Sequence, residues 1–178
     1  MAIFQSIQDL RIHLDAIGDT KEIYMTSGGF DPLHIGHVRC ILGTAHLANN
    51  RYKYPIALKP NVVIVVNADS FLERKKGYAF MPLAERMEII NALEGVDYVV
   101  PWEAVPPDQT VIEAIRALKP NYFTKGGDRF DASTIPEWNI CQEIGCQIIT
   151  GVGSGGKIQS SSELIQRANK QFQRNNIK

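Results

Sequence analysis

The chain has 178 residues, 44% apolar and 21% charged, which suits one folded domain with a single core and excludes a wholly disordered chain. Lys plus Arg number 19 and Asp plus Glu number 19, so the formal net charge is zero, which argues against a non-specific nucleic-acid partner. No apolar run reaches membrane-spanning length, and Asp9, Arg11 and Asp15 interrupt any secretory signal, so no membrane partner is expected.

Ile3, Phe4, Ile7, Leu10, Leu14 and Ile17 recur at helical spacing and predict an amphipathic first helix closed near Gly18. Glu22–Thr26 reads as a strand, residues 27–34 as a loop, and Ile35 to about Ala48 as a helix. Asn49–Pro60 is polar and basic with two prolines and reads as an insertion. Val62–Val66 is a continuous β-branched run, as expected of a central parallel strand covered on both faces. Pro82–Leu93 predicts a helix, Val96–Val100 a strand, and Asp108–Leu118 a helix capped by Asp108. Asn121–Thr124, Ile135–Ile144 and Gln147–Thr150 follow as strand, helix and strand, and a last helix starts near Ser161 or Ser162. The order predicts an α/β layer sandwich with a five-stranded parallel sheet, in a single domain spanning residues 1–178. Ligands of such sheets bind beyond the carboxyl ends of the strands, near the switch in strand order.

Cys40, Cys141 and Cys146 form no CxxC pair, so free thiols in a reducing cytoplasm are expected rather than a disulfide framework or a zinc site. The stretch over residues 151–158 matches GxGxxG and nearly matches a phosphate-binding P-loop. It fails the second because Ile158 replaces the hydroxyl that would hold magnesium, and the first because too little chain follows for another βαβ unit.

The loop after the first predicted strand reads Ser27-Gly28-Gly29-Phe30-Asp31-Pro32-Leu33-His34-Ile35-Gly36-His37. The glycines allow a ligand close to the backbone, and His34 and His37 share one face at a helix start. A helix N-terminus with free amides and two imidazoles suits phosphates. Alone, the pair reads first as one capping histidine and one packed in the core, and only the lead-in ahead of it favours a ligand site.

The run G-x-F-D-x-x-H-x-G-H resembles the signature of the cytidylyltransferase-like nucleotidyltransferases, whose fold is Rossmann-like. Within that superfamily the chain is most similar to the heptose 1-phosphate adenylyltransferase branch. The similarity rests on Thr26-x-Gly28-x-Phe30-Asp31, Val66-Asn67-x-Asp69-Ser70, Pro82-Leu83-x-x-Arg86-Met87, Ala92-Leu93-Glu94-x-Val96-Asp97 and Lys125-Gly126-Gly127-Asp128. It runs from about Glu22 to Ile165.

The resemblance implies direct transfer of a nucleoside monophosphate, AMP from ATP, to a phosphorylated acceptor such as heptose 1-phosphate, with release of pyrophosphate. It implies His34 and His37 on the triphosphate, with Lys75, Lys76 and Arg86 neutralising phosphate oxygens. Gly28, Gly29, Phe30, Lys125, Gly126, Asp128, Ser160, Ser161 and Ser162 would contact the nucleotide, and Asp31, Asn67 and Asp69 the acceptor. Mg2+ would be held through the nucleotide phosphates, with no protein metal site.

Residue types permit plainer roles: Asn67 and Asp69 as turn residues, Arg86 paired with a nearby glutamate, the serines as a cap. Gly29 stands where relatives often carry Thr, Cys or Ser, and Lys76-Gly-Tyr-Ala-Phe-Met-Pro82 departs from the branch at the acceptor side. The Arg-Thr-x-Gly lead-in of the cytidylyltransferases is missing before Ser160, which counts against CTP. The helical extension over residues 1–20 and the insertion over 49–60 are additions to the family pattern, the former expected to support homo-oligomer contacts. Glycerol 3-phosphate, pantetheine phosphate and nicotinamide mononucleotide stand as alternative acceptors, and a non-catalytic nucleotide-binding module as a reading of another class. Residues 51–76 carry six basic and two acidic side chains, so the neutral total hides a positive stretch where the family meets phosphates.

Overall fold

The computed structural model describes residues 2–19, 21–50, 59–127, 131–153 and 159–176. Six strands, not five, form one all-parallel sheet: β1 (Ala2–Ile3), β2 (Ile23–Gly28), β3 (Asn61–Asn67), β4 (Tyr98–Trp102), β5 (Tyr122–Gly126) and β6 (Gln147–Val152), in the order β1-β4-β3-β2-β5-β6. The helices are α1 (Ile7–Ala16), α2 (Ile35–Asn50), α3 (Asp69–Lys76), α4 (Leu83–Asn91), α5 (Ile112–Leu118), α6 (Trp138–Ile144) and α7 (Ser161–Asn176).

The β-branched run of β3 explains the layering. Every residue of β3 is buried, with Val63 and Val65 in one apolar cluster and Val62, Ile64 and Val66 in the other. The first cluster gathers Ile7, Leu10 and Leu14 of α1, Ile115 of α5 and Ile140 of α6; the second gathers Ile41 of α2 with Met87 and Ile90 of α4. The result is a Rossmann-like three-layer α/β sandwich.

The sixth strand comes from residues expected in the first helix. Ala2 and Ile3 pair with Tyr98 and Val99, and Phe4 N–H donates to Val99 O at 2.9 Å. The helix starts only at Ile7, because Ser6 caps it by accepting from Asp9 N–H at 3.0 Å. The expected helical extension is thus a strand and a helix built into the core.

Other boundaries shift for local reasons. Asp108 does not cap α5; its carboxylate accepts from the Thr110 N–H at 2.8 Å, and the helix begins at Ile112. Pro136 follows a short 3-10 turn, Ala132–Thr134, and α6 begins at Trp138 instead of Ile135. Arg74, Lys75 and Lys76 form the last turn of α3, a helix that the chain-order reading did not include. There they face the negative end of its dipole before Gly77 closes the helix at φ 87°. Most of the 49–60 insertion and residues 154–158 of the glycine-rich stretch lie outside the described residues.

Candidate active site

After β2 the chain turns to one side to form β3 and β4, then returns to place β5 on the other side of β2. At that switch in direction, a cleft of about 770 Å³ opens over the carboxyl ends of β2, β3 and β5. Gly28, Gly29, Phe30, Asp31, His34, His37, Asn67, Lys75, Lys76, Lys125, Gly126 and Ser160–Ser162 all line it.

The glycine turn is shaped by its neighbours. A Cβ on Gly28 would stand 3.0 Å from the Phe30 ring, and one on Gly29 2.6 Å from Leu72 Cδ2. Phe30 takes a left-handed backbone, φ 53°, and buries its ring beneath the turn. His34 Nδ1 accepts the Gly36 N–H at 3.1 Å, which leaves the proton of the neutral ring on Nε2 as a free donor. The His34 and His37 rings stack with centroids 3.7 Å apart and planes 18° apart, and Phe30 meets His37 edge-on at 5.2 Å. His37 Nδ1 is buried without a hydrogen-bond partner. Burial, helped by the neighbouring His34 and Lys76, pushes the His37 pKa down to about 3. Capping and cleft-facing roles therefore coexist in this pair.

Both predicted carboxylates of the acceptor side are engaged by protein. Asp31 lines the cleft, but Lys76 Nζ and the Phe80 N–H donate to its Oδ2 at 2.8 Å each and the Met81 N–H to its Oδ1 at 2.6 Å. Burial would raise its pKa, but these bonds outweigh it and hold the carboxyl below the usual range. Asp69 receives Arg86 Nη2 on one oxygen and the Leu83 N–H on the other. Asp31 is thus closed to a sugar hydroxyl, whereas the Asp69 side chain is 41% exposed but is not among the residues that line the cleft. Asn67 is different: it lines the cleft, is 7% exposed, and its Oδ1 has no partner.

Arg86 corrects the expectation of a phosphate-binding guanidinium. It is fully buried beneath the cleft and donates to Met81 O at 2.9 Å, Gly29 O at 2.6 Å, Asn67 O at 2.7 Å and Asp69. It clamps the ends of the two central strands. Lys76 is likewise held by Asp31, whereas Lys75 is exposed, its Nζ 5.6 Å from the Phe71 ring centroid.

Across the cleft, Lys125 Nζ lies 3.4 Å from Ser27 Oγ and 3.8 Å from Glu137 Oε2. A Cβ on Gly126 would come 2.9 Å from Cys40 Sγ, so glycine there keeps β5 against α2. Asp128 lies outside the described residues. Ser160 accepts the Glu163 N–H at 3.5 Å as the cap of α7, and Ser161 Oγ donates to Pro32 O at 3.1 Å, joining α7 to the histidine loop. Cleft residues that the sequence reading missed include Arg39, Thr110 and Glu137. Among the described residues no cluster of three or more His, Cys, Asp or Glu is placed to hold a metal ion, and no helix is long and apolar enough to cross a membrane.

The depressed His37 basicity makes stability acid-sensitive. Above about pH 6.5 the ring is neutral in both folded and unfolded chains. As pH falls from 6.5 towards 3, the unfolded chain takes up a proton that the folded ring refuses, so stability is lost over that window. Asp31 adds a loss only below its ordinary range. Urea unfolding at pH 7 and pH 4.5 should show a loss of about 2 kcal/mol in the wild type. His37→Gln should flatten that slope, and an unchanged slope would refute the assignment.

Comparison with known proteins agrees with this geometry. The cytidylyltransferase-like family matches residues 25–168, from β2 through the first half of α7. The bifunctional protein HldE of Pectobacterium carotovorum is 38% identical over 110 residues, covering 61% of this chain and 20% of that protein; the HldE of Yersinia pestis strain Pestoides F is 36% identical over the same lengths. The chain thus spans about a fifth of those relatives. A lipopolysaccharide core biosynthesis protein from Thermoplasma volcanium superposes with a TM-score of 0.57 at 22% identity, covering 75% of this chain and 98% of that one. Pantoate-beta-alanine ligase from Francisella tularensis superposes with a TM-score of 0.61 at 14% identity, covering 96% of this chain and 77% of that one. Those two likenesses are of fold. With its glycine turn, stacked histidine pair and parallel sheet inside the matched span, the chain belongs to the cytidylyltransferase-like family of nucleotidyltransferases.

Proposed function

We propose that the protein transfers AMP from ATP to a sugar 1-phosphate, with heptose 1-phosphate as the leading acceptor. The observation that carries this reading is the stacked His34–His37 pair at the α2 N-terminus, with the His34 Nε2 proton free to donate. An acceptor phosphate oxygen attacks the α-phosphorus, the bond from that phosphorus to the bridging oxygen breaks, and the electron pair leaves on pyrophosphate. No proton transfer is required, so positioning and charge stabilisation carry the step. The His34 N–H donates to a phosphate oxygen, and an anionic phosphate beside His37 raises the low proton affinity of that ring. Lys75 neutralises a phosphate on the β3 side. Asn67 Oδ1 accepts from an acceptor hydroxyl, which satisfies a buried oxygen otherwise without a partner.

The cleft carboxylates Asp31 and Glu137 are already engaged by Lys76 and Lys125, so magnesium would be held through the triphosphate oxygens, where it would screen their charge. The sugar acceptor is supported by the HldE matches and by the motifs shared with the heptose branch.

A pyrophosphate-release screen tests the reading. ATP, CTP, GTP and UTP are each offered with heptose 1-phosphate, glycerol 3-phosphate, pantetheine phosphate and nicotinamide mononucleotide. ATP with heptose 1-phosphate should give the highest kcat/KM. Clear turnover with glycerol 3-phosphate and none with any sugar 1-phosphate would overturn the acceptor, and ATP binding without turnover on any acceptor would indicate a non-catalytic module.

A further inference from the structure

Among the described residues, the cleft walls carry four permanent cations, Arg39, Lys75, Lys76 and Lys125, and two carboxylates, Asp31 and Glu137. Lys76 pairs with Asp31 at 2.8 Å and Lys125 with Glu137 at 3.8 Å. Arg39 and Lys75 are exposed, and neither makes a hydrogen bond or ion pair with a described residue. The described residues thus give the cleft an excess of two positive charges, and they lie at different ends. Lys75 lies in the last turn of α3, beyond the end of β3. Arg39 lies in the second turn of α2, its main chain against Gly153 at the end of β6, where a Cβ would come 2.7 Å from the Arg39 carbonyl carbon.

The start of α7 reaches that same end. The bond from Ser161 Oγ to Pro32 O, 3.1 Å long, holds the first turn of α7 beside the start of α2. Helical side chains lean towards the N-terminus of their own helix. A cleft-lining Arg39 thus leans towards the gap between the first turns of α2 and α7. Both helix starts offer amide donors, and the two imidazoles and the hydroxyls of Ser160 and Ser162 line the same cleft. These are partial charges or titratable groups; among the described residues, the unpaired full charge at this end is Arg39.

We propose that Arg39 binds the β- and γ-phosphates, the part of the triphosphate that leaves as pyrophosphate. The inference rests on the nucleotide reading above and adds to it a residue outside the histidine motif. When the α-phosphorus exchanges its bridging oxygen for the acceptor oxygen, negative charge builds on the departing pyrophosphate. A guanidinium can receive two of its oxygens at once, which an ammonium cannot.

The test is calorimetric binding of ATP, AMP and inorganic pyrophosphate, each with Mg2+, to wild-type protein, Arg39→Ala and Arg39→Lys. Arg39 is exposed, so both variants should fold like the wild type. Arg39→Ala should weaken ATP and pyrophosphate about tenfold or more and change AMP by less than about twofold. Arg39→Lys should recover part of the loss. Equal affinity for ATP and pyrophosphate in wild type and Arg39→Ala overturns the inference, and so does an equal loss for AMP. A wild-type protein that binds none of the three overturns the nucleotide reading itself.

Discussion

His37→Ala should lower the rate of pyrophosphate release by about 100- to 1,000-fold, the usual effect of removing one preorganised donor from a site that stabilises developing charge. Its folding stability should change far less. The ring packs against His34 and the edge of Phe30, yet it borders an open cleft, so truncation exposes space to water instead of leaving a sealed cavity. The variant also sheds a ring that resists protonation when folded, which offsets part of the packing loss at acidic pH. His34→Ala should behave differently. That ring accepts the Gly36 N–H, so its removal leaves an orphan amide in the first turn of α2 and costs about 1 kcal/mol as well as activity. Steady-state pyrophosphate release and urea unfolding, measured on both variants, separate the two roles. Equal losses of activity and stability in His37→Ala would make that ring a packing element.

The central strand β3, the histidine pair and the glycine turn were legible because each depends on local chemistry. An apolar β-branched run can only be a strand covered on both faces, and two histidines three apart at a helix start share a face. The start of α1 was legible too, in Ser6 and Asp9, but the apolar periodicity running back to Ile3 hid it. Two residues there were drawn into the sheet by the free edge of β4. Arg39 was not legible. It stands two residues after His37, about 200° round the helix, so periodicity turns it away from the histidine face. It lines the cleft only because β6 and α7 return on that side, and nothing near Arg39 in sequence encodes that return. The pairing of the carboxylates was hidden for a related reason. Asp31 and Asp69 have the chemistry of a hydroxyl acceptor, but their partners Lys76, Met81 and Arg86 come from segments 17 to 50 residues away.

Arg86 is the sharpest case, and its substitution should have the largest effect on stability. Arg86→Ala is expected to cost about 3–5 kcal/mol, a large share of the stability of a domain this size. The loss comes from what the guanidinium leaves behind: the carbonyl oxygens of Gly29, Asn67 and Met81 and one oxygen of Asp69 lose a charged donor beneath the cleft, where water enters poorly. Arg86→Lys should recover little, because one ammonium with three donors cannot reach four acceptors arranged around a planar fork. The same geometry couples stability to activity. Gly29 belongs to the glycine turn that lines the cleft and Asn67 ends β3, so loosening the clamp releases both walls of the cleft. Arg86→Lys, assayed at a temperature where it remains folded, should therefore show higher KM values for both nucleotide and acceptor. A guanidinium that served as a phosphate ligand would give the opposite pattern, a fall in kcat with an unchanged Tm. The two measurements together decide whether Arg86 meets substrate or only holds in place the residues that do.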